Sequence, residues 1–159
     1  MLKINIVAVG KIKERALSMM IGEYSKRLGR YCALRIIEAP DESVSARESE
    51  ASIQRHLSDE AGRVLGLLRA DAYIVALDIK GNPIDSIGLA QKLGALAGRY
   101  PEITFIIGGS HGLHPDVLSR SDYVLSMSEL TFPHQLARLI LLEQLYRSFK
   151  IINNETYHK

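Results

Sequence analysis

Short strand-like runs recur along this chain at Ile4–Val9, Leu34–Ala39, Ala72–Leu77 and Ile103–Ile107, each separated from the next by a segment long enough for a helix. Ile103–Ile107 is an unbroken apolar, β-branched run, as expected of a strand whose two faces are both covered. Strands that alternate with helices at this spacing form a parallel α/β sheet with helices on both faces. The 159 residues fit a single domain, 1–159, and 47% hydrophobic content is ample for one core.

Read in order, the first strand closes at Gly10. Leu17, Met20, Ile21, Tyr24 and Leu28 then repeat at three- and four-residue steps, which predicts a helix over 14–28 that ends at Gly29. Ser45, with Glu48 three residues on, carries a capping-box signature for a helix running to about Arg69. Gly81, Asn82 and Pro83 predict a turn, and Ser86 a cap for the next helix. After Ile107 come Gly108 and Gly109, a short helical segment at 116–120, a brief strand at Tyr123–Leu125, and the loop Met127–Phe132. The last helix, His134 to about Ile151, is apolar nearly all round: Leu142, Leu145, Tyr146 and Phe149 on one stripe, Leu136, Ala137, Ile140 and Leu141 on much of the rest. Such a helix must be covered on more than one side, which predicts a symmetric dimer built on it.

Composition excludes several classes. No apolar segment approaches the ~20 residues that span a bilayer. The N-terminal residues read as a strand without a signal-peptide cleavage site, so a soluble, cytoplasmic protein with no membrane partner is expected. A single cysteine, Cys32, rules out an internal disulfide and a cysteine zinc cluster, and is expected in the core. Net charge is only +2, but from Lys11 to Arg35 seven basic residues face two acidic ones, and from Glu38 to Glu60 seven acidic residues face two arginines. The basic group is a candidate surface for nucleic-acid phosphates.

In an open parallel sheet, ligands bind beyond the carboxyl ends of the strands. There the chain places Gly108 and Gly109 beside the polar loop SMSELTFPH. GGSHG lacks the Gly-Lys-Ser/Thr ending of a phosphate loop, no G-x-G-x-x-G or G-x-S-x-G is present, and His111 and His114 have no evident third metal ligand. What remains is a slot with small residues, backbone groups and the apolar Leu77, Met127, Leu130 and Phe132. It suits a flat, neutral heterocycle held by main-chain hydrogen bonds, and adenosine is the natural candidate.

The segments VAVGKIKE, VALDIKG, FIIGGSHGLHPDVLSRSDYVLSMSELTFPHQLARLILLEQLYRSFKI and the ending TYHK resemble the small bacterial ribosomal RNA large subunit methyltransferase H family, of the SPOUT superfamily. The resemblance covers essentially the whole chain. It implies a SPOUT-type α/β fold with a C-terminal trefoil knot, S-adenosyl-L-methionine as cofactor, an obligate homodimer, and methylation of N3 of a pseudouridine in 23S rRNA of the assembled ribosome; from the scattered histidines, no metal is expected. By the family's pattern the cofactor pocket is Leu77, Gly108, Met127, Ser128, Glu129, Leu130, Thr131 and Phe132. For catalysis Tyr157 and His158 of the tail are expected to close over the site, Arg138 to stabilise the anion developing on the base, and Arg147 to take a phosphate. A non-catalytic ribosome-binding or assembly factor that keeps this fold is the alternative, and the intact IGG and SMSELTFPHQ stretches speak against it.

Overall fold

The computed structural model describes residues 1–41 and 48–159. Ten elements succeed one another: β1 Leu2–Val9, α1 Arg15–Leu28, β2 Cys32–Ala39, α2 Glu50–Gly66, β3 Tyr73–Pro83, α3 Ser86–Ala97, β4 Glu102–Ile107, α4 Pro115–Arg120, β5 Tyr123–Ser126 and α5 His134–Ile152. The strands form one parallel sheet in the order β2-β1-β4-β3-β5. Successive side chains on a strand point to opposite faces, and both faces are apolar. Ile4, Ile6, Val75, Ile103 and Phe105 join a core closed by Ile21 of α1, Leu93 of α3 and Leu142 of α5. Val7, Val9, Ile74 and Ile106 face Ala61 and Val64 of α2 and Val117 of α4. The strands therefore read as continuous apolar runs, as the sequence predicts for a sheet covered twice. Among the described residues, no helix is long and apolar enough to cross a membrane.

Three local expectations change. The predicted cap Ser45 lies outside the described residues, and α2 starts later, with the Ser49 hydroxyl accepting from Ser52 N at 3.2 Å. At α3 the cap is Asp85, whose carboxylate accepts from Gly88 N at 2.7 Å. Ser86 instead donates across to Gln144 of α5 at 2.7 Å. The third change bears on the site. Gly81–Pro83 is no simple turn: β3 pairs with β5 through Leu77↔Leu125, slips register, and pairs again at Asn82↔Leu125 and Pro83↔Ser126. A bulge of this kind bends the strand and redirects the residues beyond it. Cys32 is buried as expected, and burial pushes its thiol up to about 11.

Candidate functional site

The central strands β4 and β3 and the edge strand β5 lie side by side, so the loops leaving their carboxyl ends meet. Between them is an open crevice of about 1260 Å³. Leu77 after β3, Gly108 after β4, and Met127, Ser128, Leu130, Thr131 and Phe132 after β5 all line it, so these expected residues are brought together; Glu129 is not on the wall. A pocket enclosing one small ligand is typically ~300–1,000 Å³. This crevice is larger, so a single chain leaves it open on one side.

Internal hydrogen bonds give the walls their shape. The Ser126 hydroxyl reaches Ile79 O and Ser128 O, each at 3.2 Å, which ties the bulge of β3 to the loop after β5. Ser128 Oγ in turn accepts from Leu130 N at 3.0 Å, and Leu130 is left 71% exposed at the crevice mouth. The glycine after β4 has a steric reason within the chain. A Cβ on Gly108 would lie 2.5 Å from Gly112 O, so the residue is small because the GGSHG loop folds back on its own backbone. The wall also includes residues that sequence reasoning did not single out, among them Ile79, Lys80, Asn82, His134 and Ala137. The segment VALDIKG and the TFPHQLAR junction hold all of these but Asn82, which directly follows VALDIKG.

The tail lies elsewhere. Ala137, in the first turn of α5, borders the crevice, whereas Arg147 lies ten residues further along the same helix, about 15 Å at 1.5 Å per residue. Around Arg147 the chain folds back. Asn154 adopts a left-handed φ of 52°, Glu155 N bonds Lys150 O at 2.8 Å, and the Glu155 carboxylate meets the Lys150 ammonium and the Tyr31 hydroxyl. Tyr157 then donates to Glu143 Oε1 at 3.1 Å, sits edge-on to Tyr146, and lies under the Arg147 guanidinium at 4.8 Å. His158 Nδ1 is 3.3 Å from Arg147 Nη1. Burial first, then hydrogen bonds with Tyr24 and Glu143, holds the Tyr157 phenol neutral well above the ordinary tyrosine range.

Comparison with known proteins fits this geometry. A family model described as "Predicted SPOUT methyltransferase" matches residues 2–158. Ribosomal RNA large subunit methyltransferase H of Acetivibrio thermocellus is 50% identical over 160 residues, covering 99% of this chain and 100% of that protein. The chain belongs to the SPOUT methyltransferase H family. The solved structure of a probable methylase family protein from Haemophilus influenzae Rd KW20 shares 16% identity with a TM-score of 0.49, over 95% of this chain and 66% of that one.

Within this SPOUT methyltransferase, Arg138 sits apart from both the crevice wall and the tail. Its side chain is 2% exposed, donates from Nη1 to Glu38 Oε1 at 2.6 Å and from Nη2 to Gly10 O at 2.9 Å, and leaves Nε without a partner among the described residues. The guanidinium thus clamps the first turns of α5 to the ends of β1 and β2. Charge-assisted hydrogen bonds of this kind contribute about 1.5–3 kcal/mol each to stability. Arg138→Met is therefore expected to lower stability by about 2 kcal/mol, or roughly 4–8 °C in Tm for a domain of this size, with Arg138→Lys recovering part. Thermal unfolding of the three proteins checks this. An Arg138→Met protein of unchanged Tm that has lost methylation would return Arg138 to direct contact with the target.

Proposed function

We propose that this chain methylates N3 of a pseudouridine in 23S rRNA of the assembled ribosome, with S-adenosyl-L-methionine bound in the crevice beyond β3, β4 and β5. The single observation that carries the reading is the convergence there of Leu77, Gly108 and the Met127–Phe132 loop into one slot with apolar walls and main-chain edges. That chemistry fits an adenosyl group, which needs flat apolar contact and a few backbone hydrogen bonds more than charge. When bound, the cofactor supplies an electrophilic methyl carbon on a sulfonium centre. Leu77, Leu130 and Phe132 would flank the adenine, and the backbone beside Gly108 would meet the ribose and methionine part. A trefoil knot near the C-terminus goes with this reading.

The working unit is a symmetric homodimer in the cytoplasm. Leu136, Leu139 and Ile140 of α5 are only partly buried, and Met19 and Met20 on the adjacent α1 are 65% and 46% exposed, so an apolar face awaits a second copy. Because the tail folds back onto the middle of α5 and none of its residues lines the crevice of its own chain, Tyr157 and His158 serve the partner's crevice and not their own. There Tyr157 donates as a neutral phenol, and the Arg147 charge favours the anionic form of the target base as its N3 proton leaves. Aligning the attacking nitrogen with the methyl carbon contributes a large share of the rate. Arg138 acts at a distance, by holding α5 and Gly10 in place. The basic residues from Lys11 to Arg35 face the rRNA phosphates.

Calorimetry with S-adenosylmethionine on the purified protein, followed by mass spectrometry of ribosomes from a strain lacking the gene after incubation with it, tests the proposal. A saturable heat at one site per protomer and a new methyl on a 23S pseudouridine are expected. Absence of saturable heat, or a stable single subunit at every concentration, overturns it.

A further inference from the structure

Glu143 gathers more partners than an exposed helical residue needs. Its Oε1 accepts from Arg147 Nε at 3.1 Å, Arg147 Nη2 at 2.6 Å and the Tyr157 hydroxyl at 3.1 Å. Oε2 accepts from Gln144 Nε2 at 2.7 Å, and Gln144 Oε1 in turn accepts from Ser86 at the start of α3. An ordinary exposed i,i+4 ion pair contributes little and leaves both side chains free to move. Here the carboxylate is braced from α3 on one side and bonded to the tail on the other. We infer that Glu143 is a positioning residue for methyl transfer: its carboxylate locks Arg147, Tyr157 and, through Arg147, His158 into one preformed unit that the tail presents to the partner's crevice. This inference rests on the proposed role of the tail.

The physical gain is preorganisation. A free seven-residue tail would have to lose its conformational freedom when it closes over the target, and that ordering weakens both binding and alignment. With Asn154 turning the chain and Glu155 pinned by Lys150 and Tyr31, only the orientation of the last residues remains to be set, and Glu143 sets it. Burial first, then the hydrogen bonds with Tyr24 and with this carboxylate, keep Tyr157 a hydrogen-bond donor. The groups facing that phenol are Glu143, Arg147 and Tyr146 of α5, Tyr24 of α1, and His158 beyond Arg147. The carboxylate is the one anion among them, so its removal makes phenolate formation easier.

Full-length dimeric Glu143→Gln, Glu143→Asp and a protein lacking Tyr157–Lys159 form the test, each checked for the wild-type S-adenosylmethionine titration. Single-turnover methylation of ribosomes is expected to fall about 10- to 100-fold in Glu143→Gln, since a misplacement near 1 Å can cost about 10²-fold. Glu143→Asp should recover part of the rate, with KM for ribosomes little changed in either. Phenolate absorbance assigned to Tyr157, by difference from Tyr157→Phe, should appear at lower pH in Glu143→Gln than in wild type. A wild-type rate or an unmoved Tyr157 titration in Glu143→Gln overturns the inference, and if the tail-deleted protein is meanwhile inactive the role of the tail stands. Full activity of the tail-deleted protein overturns both.

Discussion

Removing Tyr157–Lys159 should leave S-adenosylmethionine affinity within about twofold of wild type while methylation of ribosomes drops by about 10²–10⁴, the range that positioned proton-transfer and hydrogen-bonding groups supply. The separation comes from the placing of the two on α5: the crevice borders its first turn, and the tail packs on its middle, against Glu143 and Arg147, which do not line the crevice. None of the three residues removed lines the crevice of its own chain, and Tyr157 packs against surface groups of α5, so the core is untouched. Calorimetry gives the affinity and single-turnover kinetics the rate. Equal loss of both would mean that the tail shapes the cofactor site itself, and the cross-subunit account would fail.

The second large effect is on stability. A Cβ at Gly81 would lie 2.7 Å from Val124 O, 2.8 Å from Val124 C and 2.9 Å from Leu125 C. These are main-chain atoms of the edge strand β5, which the sheet holds only through β3. They cannot swing aside as the end of a side chain would. Gly81→Ala is expected to destabilise the protein by about 3 kcal/mol, the upper part of the overpacking range, and so to lower Tm by roughly 6–12 °C. As β5 is pushed off, Met127 and Leu77 separate and S-adenosylmethionine affinity should fall by more than about tenfold. Gly62→Ala in α2, where an added Cβ meets nothing within 4 Å, is the control and should stabilise by about 0.5–1 kcal/mol. Denaturant unfolding of both variants, with calorimetry of Gly81→Ala, checks the pair. Like behaviour in the two would sink the claim that β5 is seated against Gly81.

Much of the architecture was legible because burial on two faces writes itself as unbroken apolar runs: Ile103–Ile107 proved fully buried in β4, and the helical stripe ending at Leu28 became α1. The bulge in β3 was not, since Gly81-Asn82-Pro83 has the composition of a turn and only pairing with a strand some forty residues on reveals the second half of the ladder. Crevice residues could be found because backbone-lined slots concentrate glycine and small polar residues after strands. Lys80 and His134 carry no such mark, and contact across the sheet end alone assigns them to the wall. The Arg138 clamp was hidden for a local reason. It shares a face with Leu141, Leu142 and Leu145, all fully buried, so its place on the helix already implied an interior partner, but the acidic Glu38 lies a hundred residues away. The cross-helix link from Ser86 through Gln144 was likewise invisible to a pattern read along one element.

In the ion pairs that fasten the tail, Arg147 with Glu143 and Lys150 with Glu155, both partners are partly exposed, whereas in the Arg138 clamp the guanidinium is buried and only the Glu38 carboxylate meets water. Concentrated salt weakens the first kind more than the second, since the screening length in water shrinks from about 8–10 Å at ordinary ionic strength to about 3 Å at 1 M, and a buried charge is screened much less. Concentrated buffer would therefore slow the enzyme in two ways at once, by competing for rRNA phosphates and by unlatching its own C-terminus. A steep salt slope would then overstate the number of phosphates the protein grips.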